Sequence, residues 1–118
     1  MLYPIIIQSI HFIADFLCQS RKMANNKSKS VKWLSIHVFV YSLVTTIFWM
    51  VFILNFYTLI SIFFVTFLTH WCTDYCTSKL TTYFYGKNDL FAFFSVIGFD
   101  QFIHSTTLIL TYNYYIFT

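Results

Sequence analysis

The 118 residues are 58% hydrophobic and 24% aromatic, with only 9% charged and a formal net charge of +3. A soluble domain would have about a quarter of its residues charged, so this composition excludes an ordinary water-soluble fold and points to lipid as the solvent. Seven cations confined to short loops give no long basic face with stacking aromatics, which argues against nucleic-acid binding.

The first predicted element is a helix over about residues 3–20, with Pro4 in its first turn, where a missing amide donor is harmless. It contains His11 and Asp15 and lacks a basic start or a small-residue cleavage site, so it is expected to be a retained helix, not a leader. Residues 21–30 interrupt the apolar pattern. A second helix is predicted over 31–54, a third over 57–80 after a turn near Asn55, and a fourth over 90–115, with its start anywhere between 90 and 96. Asp89 is expected to cap or precede that last helix. Each run approaches the roughly 20 residues that cross a bilayer, and the predicted fold is all-α: one four-transmembrane-helix bundle over 1–118.

Five of the seven basic residues, Arg21, Lys22, Lys27, Lys29 and Lys32, fall in or beside the first connection, while Lys79 and Lys87 flank the third. The turn near Asn55 has none. By the bias of Lys and Arg toward cytoplasmic loops, the basic connections are expected in the cytoplasm and both termini outside, as for a bacterial inner-membrane protein. Cys18, Cys72 and Cys76 are odd in number and are read as reduced, apolar-like thiols. Cys72 lies roughly 200° around a helix from His70, which weakens zinc binding through Cys72-x-x-x-Cys76.

Three of the four histidines stand four residues from an aspartate: His11/Asp15, His70/Asp74 and Asp100/His104. That is about one helical turn, so each pair projects from one face with Cβ atoms about 5–6 Å apart. Asp15, Asp74 and Asp100 are three of the chain's four acidic residues, and there is no glutamate. With His37, all these groups lie in apolar stretches. Asp15, His37, His70 and Asp74 are about 5–10 residues, or roughly 7–15 Å, from the basic loops, hence at one depth. Asp100 and His104 reach that depth if the fourth span starts near Ser95, and sit deeper if it starts at Leu90.

Each helix carries one polar seam. His11, Asp15, Cys18, Gln8 and Gln19 share a face of the first; His37, Tyr41 and Thr45 mark the second. Thr66, His70, Thr73, Asp74, Thr77 and Ser78 line the third, and Asp100, His104, Thr107 and Thr111 the fourth. An ionisable group at membrane depth costs at least about 2.5–3.5 kcal/mol, so it should face the bundle interior, find a partner and mark function. Purely local hydrogen bonding within the three pairs is the structural alternative, but apolar residues would fill the same positions at lower cost.

Neutral imidazoles with carboxylates suit Zn, Mn or Fe, and helix bundles build such sites from inward-facing groups on several helices. His11, Asp15, His37, His70, Asp74, Asp100 and His104 are the candidate ligands, sufficient for one or two divalent ions. A bis-histidine haem is disfavoured, because haem needs bulky apolar walls and two axial imidazoles, not partnered aspartates. A proton or ion channel is the stronger rival. It requires polar groups through to the outer face, where these helices are mostly Ile, Leu, Val and Phe.

The blocks His11-Phe-Ile-Ala-Asp15-Phe-Leu-Cys-Gln19, Met23-Ala-Asn-Asn-Lys27-Ser-Lys-Ser30, His37, His70-Trp-Cys-Thr-Asp74-Tyr and Asp100-Gln101-Phe-Ile-His104 resemble a family of small bacterial and phage membrane proteins labelled domain of unknown function 3307. The family usually reads D-F-x-L-Q where this chain has Asp15-Phe-Leu-Cys-Gln19. The resemblance spans nearly the whole chain but implies no reaction. In style it is similar to inner-membrane metal-dependent hydrolases, and a likeness of that kind does not establish function.

The expected activity is therefore a metal-dependent hydrolase with Asp15, Asp74 and Asp100 as candidate catalytic groups. Gln19, Lys27 and Gln101 are candidate contacts to a lipid or phosphate-containing substrate at the cytoplasmic interface. The ordinary role of residues 21–32 is topology and attraction to anionic lipid, worth about 1 kcal/mol per basic residue. The sharper one is that Lys27, with Arg21 or Lys22, clamps a phosphate at the mouth of the site. Homo-oligomerisation, and a phage or defence-associated pore without catalysis, complete the expectations.

Overall fold

The computed structural model describes residues 3–117, in which every regular element is helical. Helix α1 (Tyr3–Phe12) runs directly into a π-helical turn (Ile13–Leu17); α2 (Arg21–Asn26), α3 (Val31–Trp49), α4 (Phe56–Gly86) and α5 (Leu90–Phe117) follow. Helix α2 lies within the connection expected over residues 21–30, and side chains cap its start and those of α4 and α5. Ser20 accepts the Met23 amide at 3.2 Å, Asn55 the Thr58 amide at 3.0 Å and Asp89 the Ala92 amide at 3.0 Å, each satisfying an N-terminal amide that has no partner within its helix.

Helices α3, α4 and α5 are long and apolar enough to cross a membrane. The first helical segment, Tyr3–Leu17, is shorter, because Ser20 already begins α2. It also departs from the uniform α-helix expected over 3–20: Cys18 N–H reaches back to the Ile13 carbonyl at 2.9 Å, the five-residue hydrogen bond that defines a π turn. At the other helix ends, α3 stops at Trp49, not residue 54, and α4 continues to Gly86, not residue 80.

That extension of α4 answers the question of depth. Helix α5 starts at Leu90, the earlier of the two expected limits. Asp100 nevertheless meets α4 beside Asp74, because both helices overshoot the cluster by roughly three turns before the connecting turn. Asn88 closes that turn with φ 56°, a left-handed conformation that asparagine tolerates better than most residues.

Two apolar cores flank the polar cluster on the side away from the basic loops. Ile7, Ala14, Tyr41 and Leu108 form the nearer one. Trp49, Ile53, Leu59 and Ile62 form the farther one, against Tyr112, Tyr115 and Ile116. Phe64, Leu68, Phe102 and Leu110 face outward and exposed, as lipid-facing or neighbour-facing surfaces do.

Candidate metal centre

Each polar seam supplies its part to one buried cluster. Asp15 comes from the π turn, His37 from α3, His70 and Asp74 from α4, and Asp100 and His104 from α5. His37, His70, Asp74 and His104 are each no more than 2% exposed, and Asp15 is 3% exposed. The widened π turn buries Ala14 and Asp15 together, so the Asp15 carboxylate faces α3 and α4.

The two shortest His–Asp contacts run across helices, not between the i,i+4 partners the spacing suggests. His11 Nε2 lies 3.9 Å from Asp15 and His70 Nε2 3.6 Å from Asp74. By contrast, His37 Nε2 is 3.1 Å from Asp15 Oδ1 and His104 Nε2 3.0 Å from Asp74 Oδ1. The cluster is thus a device for joining helices, not three local pairs.

The two imidazole nitrogens of His37 and His70 lie between carboxylate oxygens of Asp15 and Asp74. His37 Nε2 and His70 Nε2 are 3.3 Å apart. His37 Nε2 is 3.3 Å from Asp74 Oδ2, and His70 Nε2 is 3.6 Å from both Asp15 Oδ1 and Asp74 Oδ2. A tetrahedral ion with bonds of about 2.0–2.1 Å holds its ligand atoms about 3.3 Å apart, so five of the six edges of such a site are present within a few tenths of an ångström. Hydrogen bonding alone fits less well. Two imidazole nitrogens facing each other share at most one proton, and Asp15 Oδ1 makes no hydrogen bond of good geometry.

Three triads bring ligand atoms within 4.8 Å of one another: Asp15/His37/His70, His70/Asp74/His104 and Asp15/Asp100/His104. Six of the seven candidate ligands therefore stand together. The seventh, His11, belongs to none of these triads. Its Nε2 meets Gln101 Oε1 at 2.8 Å and its Nδ1 meets the Tyr41 hydroxyl at 3.0 Å, which fits a neutral ring donating to the amide and accepting from the phenol. Gln101 in turn donates to Asp100 Oδ2 at 3.0 Å, and Thr77 donates to Asp100 Oδ1. His11 and Gln101 thereby orient the cluster from behind, as outer-shell groups do around metals.

A chamber of about 180 Å³ opens beside the cluster, lined by Asp15, Gln19, Lys27, Ser78, Asp100 and Gln101 among others. All three sequence-predicted substrate contacts line it. Lys27, at the C-terminus of α2, turns inward and places Nζ 2.8 Å from Asp74 Oδ2. Burial opposes its charge, but Asp74 and Asp15 outweigh that and raise its pKa above the ordinary lysine value. Of its expected partners in a phosphate clamp, Lys22 lies 4.9 Å over the Trp33 ring and Arg21 is exposed.

The sequence profile described as "Protein of unknown function (DUF3307)" matches residues 2–118. The chain belongs to this family. No curated protein and no solved structure matches it. The blocks that carry the DUF3307 resemblance are the ones that meet here, with Asp15, Lys27, His37, His70, Asp74, Asp100 and His104 gathered around one point.

Two further contacts lie in the polar seams without having been assigned a role from sequence. Tyr41 packs at a tilt against His70, 3.8 Å between ring centroids, while holding His11, and His70 stacks on His104 at 4.0 Å. Tyr41 is one turn beyond His37, and that spacing was its available signal. Cys18, Cys72 and Cys76 are free and exposed, away from the cluster.

Proposed function

We propose that this DUF3307 protein is an integral membrane metal-dependent hydrolase whose His/Asp centre opens toward the cytoplasmic face of a bacterial inner membrane. The convergence of His37, His70, Asp15 and Asp74, three of which would hold an ion with the fourth position left for water, carries the reading. Two nitrogens and two oxygens with tetrahedral edges fit Zn best among Zn, Mn and Fe. In this reading the Tyr3–Leu17 segment serves as a fourth, short span, the basic connections are cytoplasmic and both termini lie outside.

A divalent ion held by these residues would supply a water of lowered pKa and a Lewis acid for an ester. In the hydrolysis, water oxygen bonds to the acyl carbon or phosphorus, the ester bond to the leaving oxygen breaks, and that oxygen takes up a proton. His104, between Asp74 Oδ1 at 3.0 Å and Asp100 Oδ1 at 3.3 Å, is placed to carry that proton. Gln19, Gln101 and Lys27 border the chamber in which the reacting group of a lipid or phosphate-containing substrate fits.

Proton conduction is the second reading, favoured by the buried hydroxyls of Ser42, Thr45 and Thr66, which lack hydrogen-bond partners. Against it, the space among Ile7, Ile10, Thr45, Trp49 and Leu108 has no room for a water molecule, so a hydrated path is not continuous there. Metal analysis of the detergent-purified protein separates the two. Hydrolase function predicts stoichiometric metal in the wild type and its loss in His70→Ala, with ester hydrolysis lost in parallel. Metal-free protein that acidifies liposomes would overturn it.

A further inference from the structure

Helix α1 lies along α5: Tyr3 stacks on Tyr112, Gln8 accepts from Ser105 at 3.0 Å and His11 meets Gln101 at 2.8 Å. The π turn then carries the chain away. No Cα of the turn, and none of α2, comes within 8 Å of a Cα in α5, although residues of the turn and of α5 both line the chamber beside the cluster. Between Phe16 on one wall and Ile97 on the other, the chamber therefore has no helix packed across it among the described residues. We propose that this gap admits a membrane lipid sideways from the leaflet at the basic end, and that the group bound in the chamber is the carbonyl linkage of an acyl chain. The inference rests on the hydrolase reading above for what becomes of that linkage, and gives that reading its substrate class.

The walls of the chamber ask for a ligand with a polar and an apolar part. Ser78 is 7% exposed and its Oγ has no hydrogen-bond partner, and Gln19 Oε1 has none either. They stand four residues on from Asp74 and Asp15, toward the basic end. A buried polar atom without a partner is costly, so a ligand that brings one is favoured. Phe16, by contrast, is 48% exposed in the gap and faces an apolar neighbour in Ile97. An acylated lipid satisfies both parts, whereas a small polar ester has nothing to lay against Phe16 and Ile97. Size agrees. About 180 Å³ holds roughly six water-sized groups, enough for a linkage and the first carbons of a chain, so the rest of the lipid has to stay outside, and the gap allows that.

Depth selects the carbonyl over the phosphate. In a glycerolipid the acyl carbonyls lie between the phosphate and the hydrocarbon. The exposed cations Arg21, Lys22 and Lys29 stand in the first connection, beyond the chamber, where lipid phosphates attract them. Lys27, the cation in the chamber wall, is bonded to Asp74 at 2.8 Å. A lipid whose phosphate stays at the first connection thus presents its acyl linkage to the chamber. Ser78 Oγ donates to the carbonyl oxygen there, and Gln19 Oε1 accepts from a hydroxyl or N–H of the same lipid.

The test is photolabelling in phosphatidylglycerol nanodiscs that contain a phospholipid with a diazirine on the acyl chain next to its carbonyl. Adducts are mapped by mass spectrometry on wild type and Ile97→Trp, with size-exclusion behaviour and circular dichroism as folding controls. Adducts are expected on Ser78 and Thr81 inside the chamber, and Ser78 is too buried to be labelled from the outer surface. In Ile97→Trp, which fills the gap, they should fall at least fivefold, while Phe39 and Phe64 on outward faces are labelled as before. Wild type without adducts on Ser78 and Thr81 would overturn the proposal, as would unchanged labelling in Ile97→Trp. If that variant does not fold, Phe16→Trp, at an exposed site, narrows the gap from the other wall and is read in the same way. Zinc-loaded wild type assayed on p-nitrophenyl acetate and on the nanodisc lipid separates the two readings. Hydrolysis without chamber adducts overturns the lipid route alone, and chamber adducts without release of p-nitrophenol or fatty acid overturn the hydrolase alone.

Discussion

At the end of the bundle that carries the basic connections, helices meet through carboxylates and imidazoles; at the other end Trp49, Ile53, Leu59 and Ile62 meet Tyr112, Tyr115 and Ile116 through apolar contact. The same helices supply both ends. In lipid the apolar end gains little from hydrophobic transfer, since acyl chains are as apolar as leucine, and it depends on packing. The polar end depends on pairing, where each removed partner strands a charge. One region should therefore fail steeply and specifically, and the other gradually and without chemical consequence.

Three variants would break or sharpen that contrast. Asp74→Ala removes the acceptor shared by Lys27, His37, His70 and His104, so complete metal loss and a destabilisation of about 3–5 kcal/mol are expected, read by elemental analysis and thermal unfolding in detergent. Ile62→Ala, at a site 1% exposed in the apolar end, should cost about 2 kcal/mol through its cavity yet leave metal content unchanged. Metal loss in that variant would mean that the two ends are coupled, and the contrast would fail. The paired change Cys72→Ala and Cys76→Ala, at exposed thiols, should alter stability by less than about 0.5 kcal/mol and leave bound metal the same. A drop in metal there would bring thiolates back as ligands.

Much of the site was legible because scarce polar residues in an apolar chain have few places to go. The four-residue spacing of His70/Asp74 and Asp100/His104 put each pair on one helix face, and the faces do converge. Asp89 as a cap was likewise legible, since its side chain acts on its own helix. His11 was read with the ligands because its spacing to Asp15 matches the others. The π turn and the reach of Gln101 give both of its ring nitrogens hydrogen-bond partners, and neither leaves a mark in residue spacing. Lys27 was read as a substrate contact at the mouth of the site, but its bond to Asp74 was not legible, because no residue spacing relates the first connection to α4.

Composition and periodicity determined that this chain is helical, apolar enough for membrane spans, and furnished with one polar seam per helix, because those properties depend on neighbours within a turn or two. The tertiary structure decided which seam meets which, that Asp74 is shared among α2, α3 and α5, and that Lys27 enters the cluster while Lys22 does not. Those outcomes are set by helix lengths, by a one-residue widening of the first helix and by contacts between residues tens of positions apart, which no local pattern encodes.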